Sequence, residues 1–295
     1  MPSVPLPVRD GLNPSRLRMP ADGTWATVLE YLLARFPDDA ARLREKVAAG
    51  EVVDGDGAPI DASTAFQPHT FVYLYRDPPV EPRVPFEIEI LHRDENLLVV
   101  DKPHFLASTP RGRFVVESAL VRLRRDLDLP DLAPAHRLDR LTAGVLVFTV
   151  RPQARRAYQE LFAARRVHKE YRALADVRPD LAFPLTVRNR IIKERGVLQA
   201  QIVPGEPNAE TRIELLGDDN GIGRYRLLPH TGKIHQLRVH MCALGIPLHG
   251  DSLYPIAQDV AVDDYSSPLR LLAHSLEFDD PLDGRPRRFV SRRTL

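Results

Sequence analysis

Apolar positions along the chain follow two spacings, and their order separates a small leading body from a larger one. Residues 1–19 are rich in proline and polar side chains without a period, so this stretch reads as an extended arm. Trp25, Val28, Leu29, Leu32 and Leu33 then recur at helical spacing, and a second helix is expected over residues 39–49, stopped by Gly50. Val52, Val53, a Gly-Asp-Gly turn and Ile60 suggest a hairpin, and residues 70–75 a strand. These elements make a small α+β module over residues 1–77. Pro78, Pro79 and Pro82, mixed with Asp77 and Glu81, then mark a stiff linker.

The second body, residues 84–295, is richer in strands. Candidates lie at residues 87–91, 97–100, 144–150, 170–177, 210–216, 224–228 and 269–278, all enriched in Val, Leu, Ile, Tyr and Phe. Ala154, Ala157, Tyr158, Leu161 and Phe162 form the stripe of a helix over residues 152–164, with Pro152 in its first turn. Another helix is expected from near Thr231, with Ile234, Leu237, Met241 and Leu244 on one face, ending at Gly245 before Pro247. Runs of strands with helices inserted irregularly predict an α+β domain, not an alternating βαβ one.

Composition narrows the setting. With 295 residues, 43% hydrophobic, a sizeable core is expected. The apolar run over residues 143–150 is too short to cross a bilayer, and residues 1–23 lack the apolar stretch of a signal peptide. Cys242, the single cysteine, can form neither an internal disulfide nor a zinc cluster alone, and reads as a buried helix residue. The expectation is a cytoplasmic monomer without a membrane partner. Net charge is only +1, but it is segregated: residues 151–172 carry seven basic side chains against two acidic ones, residues 224–240 carry no acid, and residues 285–293 add five arginines. That distribution fits a one-sided basic face, which attracts phosphates, and equally fits solvated helix faces.

Chemistry concentrates in two segments. Residues 135–144 place Asp139 between Arg137 and Arg140 in a loop before the most apolar strand. A carboxylate there is close to the core yet open to an anionic ligand, although a turn-capping aspartate has the same pattern. Residues 227–251 hold Arg238 one position past the apolar stripe, where a guanidinium can face a fixed carboxylate. His230, His235, His240 and His249 are not expected to bind metal, because a five-residue spacing turns side chains by about 140° on a helix.

The motifs together resemble the RluA-type pseudouridine synthases. His136-Arg137-Leu138-Asp139-Arg140-Leu141-Thr142-Ala143-Gly144 is similar to the signature that carries the catalytic aspartate of that family. Leu98-Val99-Val100-Asp101-Lys102-Pro103 resembles its first motif, Lys169-Glu170-Tyr171 its tyrosine strand, and residues 231–240 its arginine motif. The resemblance covers residues 87–278. It implies an α+β fold with a mixed, largely antiparallel sheet and flanking helices, acting on uridines in structured RNA, ribosomal before transfer RNA, without a cofactor. It gives catalytic roles to Asp139, Arg238 and Tyr171, and RNA contacts to His136, Arg137, Arg140, Lys169, Lys233 and Leu237, with Arg137 inserted into the base stack. Residues 151–172 and a loop over residues 188–195 would meet phosphates. An adjacent cation such as Arg238 typically lowers a carboxylate pKa by about one to three units.

Two departures accompany the resemblance. Leu271-Leu272-Ala273 stands where the family has Leu-His-Ala, and the leading module is only loosely like a small ribosomal-protein-type RNA-binding domain. An inactive RNA-binding protein of the same fold would have lost the aspartate, arginine or tyrosine, and all three are present. A carboxylate-dependent hydrolase would need a second acid beside Asp139.

Overall fold

In the computed structural model, which describes residues 4–295, the chain separates into two units at Pro79 and Val80, inside the proline-rich stretch. The first contains β1 (Ser15–Arg18), α1 (Val28–Arg35), α2 (Ala40–Ala48) and β2 (Phe71–Leu74). Thr27 caps α1, its hydroxyl accepting from the Glu30 N–H while the Glu30 carboxylate accepts from the Ala26 N–H. Trp25 therefore lies before the helix, edge-on to Tyr31.

Two expectations change in this unit. Residues 15–18 of the expected arm pair antiparallel with β2, sending Leu17 with Val72 and Leu74 to the core, while residues 1–3 lie outside the described residues. The expected hairpin over residues 51–61 shrinks to single bridges from Val53 to Pro59 and to Tyr73. Its turn is held by the Asp54 carboxylate, which accepts from the N–H groups of Asp56 and Ala58, and by two backbone bonds, Asp54 N–H to the Ala58 carbonyl and Ile60 N–H to the Val52 carbonyl.

The second unit is built on one eleven-stranded sheet. In chain order it contains β3 (Glu89–Arg93), β4 (Leu97–Lys102), α3 (Ala119–Leu127), β5 (Ala133–Pro134), β6 (Ala143–Thr149), α4 (Pro152–Ala163), β7 (His168–Asp176), β8 (Leu185–Ile192), β9 (Gln201–Val203), β10 (Ala209–Asp219), β11 (Ile222–Pro229), α5 (Gln236–Ala243), β12 (Leu271–Asp279) and β13 (Pro286–Val290). The sheet order is β3-β4-β6-β12-β7-β11-β10-β8-β9, with β5 on β6 and β13 on β12. Only the β6–β12 pair is parallel among these described strands, so the sheet is mixed and largely antiparallel.

Burial explains why β6 reads as a continuous apolar run. Val145 and Val147 pack against Ala154, Tyr158 and Leu161 of α4, whereas Leu146 and Phe148 point into the main core with Leu120 and Leu123 of α3. The elements absent from the expectation have identifiable reasons. Helix α3 buries Arg122 and Arg124, which interrupts its apolar stripe; Arg122 is paired with Glu117 and Glu87. Strand β8 alternates Leu185, Val187 and Ile191 with Thr186, Arg188 and Arg190, so most of the expected phosphate-binding loop is strand, and Arg188 pairs with Glu210. The arginines of residues 285–293 lie in or beside β13 and pair with Asp283, Asp280, Glu277, Glu89 and Asp101, which removes them from a free basic face.

Helix α5 also starts later than its pattern suggests. His235 sits at φ +59°, and the Gln236 side chain bonds Thr211, Thr231, the Glu210 carbonyl and the Lys233 N–H, holding residues 231–235 as a turn. Ile234, expected on the buried face, is consequently exposed, and Cys242 is only half-buried. No helix among the described residues is long and apolar enough to cross a membrane.

Gly144 makes the parallel junction possible. Its φ is +113°, and a Cβ there would lie 2.2 Å from the Ala273 carbonyl oxygen on β12. Rigid backbone cannot yield that space cheaply. Gly144→Ala is expected to cost about 3 kcal/mol or more in urea unfolding, through strain and separation of the strands. A loss below about 1 kcal/mol would show that the junction tolerates a side chain.

Candidate active site

Every residue of the turn that carries Asp139 is tied by its backbone. The Leu138 N–H donates to Ser108 Oγ at 3.0 Å and the Ser108 hydroxyl returns a bond to the Leu138 carbonyl at 2.7 Å. The Asp139 carbonyl accepts from the Thr142 N–H, the Arg140 carbonyl from Lys102 Nζ at 3.2 Å, and the Leu141 carbonyl from His104 Nδ1 at 2.7 Å. Burial pushes His104 down to about 4, so its ring is neutral and Nδ1 carries the donated proton. The carboxylate of Asp139 is thus presented by a turn with little freedom, itself about one-third exposed.

Arg238 enters from α5, 99 residues along the chain. Its Nη1 lies 3.9 Å from Asp139 Oδ2, the outer range of an ion pair. Its short bonds go elsewhere: Nε donates to Asp251 Oδ2 at 2.8 Å and Nη2 to Asp251 Oδ1 at 2.5 Å. The sequence pattern named Asp139 as the partner of Arg238; the structure makes Asp251 the principal one. Asp251 is wholly buried and also accepts from the N–H groups of Leu253 and Tyr254. The Tyr254 ring lies 5.3 Å from the guanidinium, its hydroxyl bonded to His235 Nδ1 and to the Ala200 carbonyl. Burial opposes the charge of Arg238, but Asp251 more than offsets it and the pKa lies above its ordinary value. One side of the fork is fixed by Asp251, and the remaining nitrogen is left for Asp139.

Tyr171 lies on β7, opposite Leu227 and Ala273. Burial raises its pKa, and the charge of Asp139 raises it further, which places the hydroxyl within the field of that carboxylate. Tyr171 is therefore a neutral phenol at physiological pH, a ring with a hydrogen-bond donor and not a phenolate.

The other expected site residues divide. Arg137 and Lys233 are exposed, Arg140 and Lys169 are half-buried, and none has an acidic partner among the described residues. Leu237 belongs to the main core. His136 is not a free contact: its ring stacks on Phe162 at 4.4 Å, Nε2 accepts from the Val147 N–H, and burial pushes its pKa down to about 3. Of the seven basic residues in 151–172, Arg151, Arg155, Arg156 and Arg172 are bound to Glu95, Asp131, Glu160 and Glu170, leaving Arg165, Arg166 and Lys169. The histidines near α5 serve different partners, His235 bonding Tyr254, His240 bonding Asn189 and His249 bonding Asp176.

Sequence reasoning missed Asp251, Ser108 and His104, and quoted Lys102 without a role. An acid closing the apolar stretch 246–251 was the available signal for Asp251. Nothing in the pattern marks Ser108.

Two stability measurements follow from this geometry. Asp251→Ala leaves Arg238 buried without its main partner and is expected to cost about 3–5 kcal/mol in urea unfolding. Asp139→Asn removes a longer, partly solvated contact and should cost under about 1 kcal/mol; the reverse ranking would overturn the assignment. For His136, the folded pKa near 3 lies below the unfolded value near 6.5, so the unfolded chain binds the extra proton between them. Stability should be full above about pH 6.5 and fall toward pH 3, and His136→Gln should flatten that decline.

Comparison with known proteins agrees with the motifs. Residues 96–243, which include Asp139, Tyr171 and Arg238, match the family described as RNA pseudouridylate synthase. An uncharacterized RNA pseudouridine synthase of Synechocystis sp. is 32% identical over 216 residues, covering 72% of this chain and 73% of that protein. The dual-specificity RNA pseudouridine synthase RluA of Yersinia pestis is 31% identical over 214 residues, covering 68% of this chain and 96% of that one. The solved structure of human RNA Pseudouridylate Synthase Domain Containing 1 superposes with a TM-score of 0.57 at 25% identity, over 72% of this chain and 86% of the other. Sequence likeness over more than two thirds of the chain, with the family match across residues 96–243, makes it a member of the RNA pseudouridine synthase family, on the RluA-type branch.

Proposed function

We propose that this isomerase converts uridines in structured RNA to pseudouridine with Asp139 acting on the ribose, Arg238 as its cationic neighbour and Tyr171 against the uracil. The observation that carries the reading is a turn carboxylate with a guanidinium 3.9 Å away, brought together from stretches 99 residues apart; the buried phenol of Tyr171 feels the charge of the same carboxylate. The reaction breaks the bond from the ribose C1′ to N1, turns the freed uracil, and joins C5 to C1′. Carbon 5 gives up a hydrogen and N1 carries one, so the change is redox-neutral and transfers no outside group. It requires no cofactor. An ionised carboxylate is needed to attack the nucleoside or take a ribose proton, and Asp139 is the carboxylate available beside Arg238.

Tyr171 supplies a flat ring for the base and a hydroxyl that donates toward it. A uridine within folded RNA must first leave its stack, which costs a few kcal/mol. Arg137, exposed beside Asp139, has the planar group suited to filling the gap. Ribosomal RNA is the first candidate substrate, and a monomer suffices for the reaction, since one chain supplies all three site groups.

RNA carrying tritium at C5 of uridine should release label to water when treated with the protein, using total RNA from cells that lack it. Asp139→Asn should abolish release while RNA binding stays within a few fold and the melting transition persists. Arg137→Ala should slow release from folded RNA more than from an unstructured strand. No release by the wild-type protein, or full release by Asp139→Asn, defeats the reading. Mapping pseudouridine in ribosomal and transfer RNA, with and without the gene, decides the substrate.

A further inference from the structure

A short hairpin beside the catalytic turn has no part in the roles above. Arg111 and Phe114 close it with two backbone bonds, 2.7 and 3.1 Å, around Gly112 and Arg113. Its base is rigid. The Glu81 carboxylate accepts from the N–H groups of Val115, Val116 and Glu117, at 2.8, 2.7 and 3.1 Å. The segment before it is joined to the Asp139 turn through the Ser108–Leu138 bonds.

Two guanidinium groups meet over the ring that this hairpin presents. Arg140, the residue after Asp139, lies 4.6 Å from the Phe114 centroid and donates to the Phe105 carbonyl at 3.3 Å. Arg113 lies 5.3 Å from the same centroid. No carboxylate among the described residues pairs with either one, although acids neutralise arginines over much of the second unit. Burial lowers the pKa of Arg140, and the nearby charge of Arg113 lowers it again, so the two cations repel across the ring. Like charges held together by an aromatic platform, with open N–H forks, gain most from an anion placed between them.

We propose that Arg113 and Arg140, braced on Phe114, form a clamp for one phosphodiester of the RNA backbone next to the nucleotide at Asp139. This deepens the reading of the protein as an RNA isomerase and rests on it for the identity of the anion. A guanidinium fork matches two phosphate oxygens, and a second fork from the other side fixes the backbone direction. The clamp positions the strand and reads no base.

The test is binding of fluorescein-labelled oligo(U) by anisotropy across a series of KCl concentrations. Arg113→Ala, at an exposed hairpin tip, should weaken binding at low salt on the order of ten-fold. It should also lower the slope of log affinity against log salt by about 0.7, the value for one single-stranded phosphate contact. Arg113→Lys should keep the slope and recover part of the affinity, because it keeps the charge without the fork. Arg93→Ala, at another exposed arginine, on β3, should leave both within two-fold. Weaker binding with an unchanged slope would assign the hairpin to base stacking, and an equal effect of Arg93→Ala would reduce it to a diffuse field; either overturns the clamp, as does unaltered binding. The measurement involves no catalysis, so absence of tritium release would defeat the isomerase reading while leaving this result interpretable.

Discussion

One buried ammonium holds the site together. Lys102 ends β4 with no exposure to solvent, and its Nζ donates to the carbonyls of Pro103, Leu106 and Arg140 at 2.9, 2.7 and 3.2 Å. Three N–H donors meet three acceptors, so the hydrogen bonding is complete while the charge is not. Burial drives the pKa of Lys102 well below its ordinary value, and the charge of Asp139 is the main influence in the other direction. The negative field of Asp139 therefore favours the charged form of Lys102, whose three hydrogen bonds persist without that field. The peptide at Arg140, and with it the turn that aims Asp139, is set by this contact.

Around that centre the charges are arranged in series. Asp251 holds Arg238 by two short bonds, and Arg238 reaches Asp139 with what remains of its fork. An arginine shared in this way does not collapse onto the Asp139 carboxylate, whose oxygens stay partly open. The fixed guanidinium acts as a preorganised field instead of a tight partner. Tyr254 and His235 back it from the other side, so α5 and the 251–254 segment behave as one support.

The fold uses many of its basic residues for its own ion pairs. Pairs such as Arg151–Glu95, Arg155–Asp131 and Arg287–Asp280 hold strands and helices in register. Basic runs that look alike in sequence thus separate into structural ion pairs and open cations. Arg113, Arg137, Arg140, Lys169 and Lys233 are among the open ones, spread over the hairpin, the turn that carries Asp139, β7 and the turn before α5.

The sequence by itself determined the elements whose signal is local. The apolar runs of β4 and β6, the stripe of α4 and the alternation of β11 are set by burial of near neighbours, and the Asp139, Tyr171 and Arg238 motifs are contiguous strings whose likeness to a family survives without coordinates. What only the tertiary structure decided depends on partners far apart in the chain. Helix α3 was hidden because its buried Arg122 is neutralised by Glu117 and Glu87 and its buried Arg124 bonds the Leu132 carbonyl, and β13 because its Arg287 and Arg288 pair with acids such as Asp280 and Glu277. The division of Arg238 between Asp251 and Asp139, the role of Ser108 and the inward turn of His136 all arise where separate strands meet. Charge and polarity along a chain state what a residue can bind, but the desolvation that makes one partner win over another exists only once the fold has excluded water.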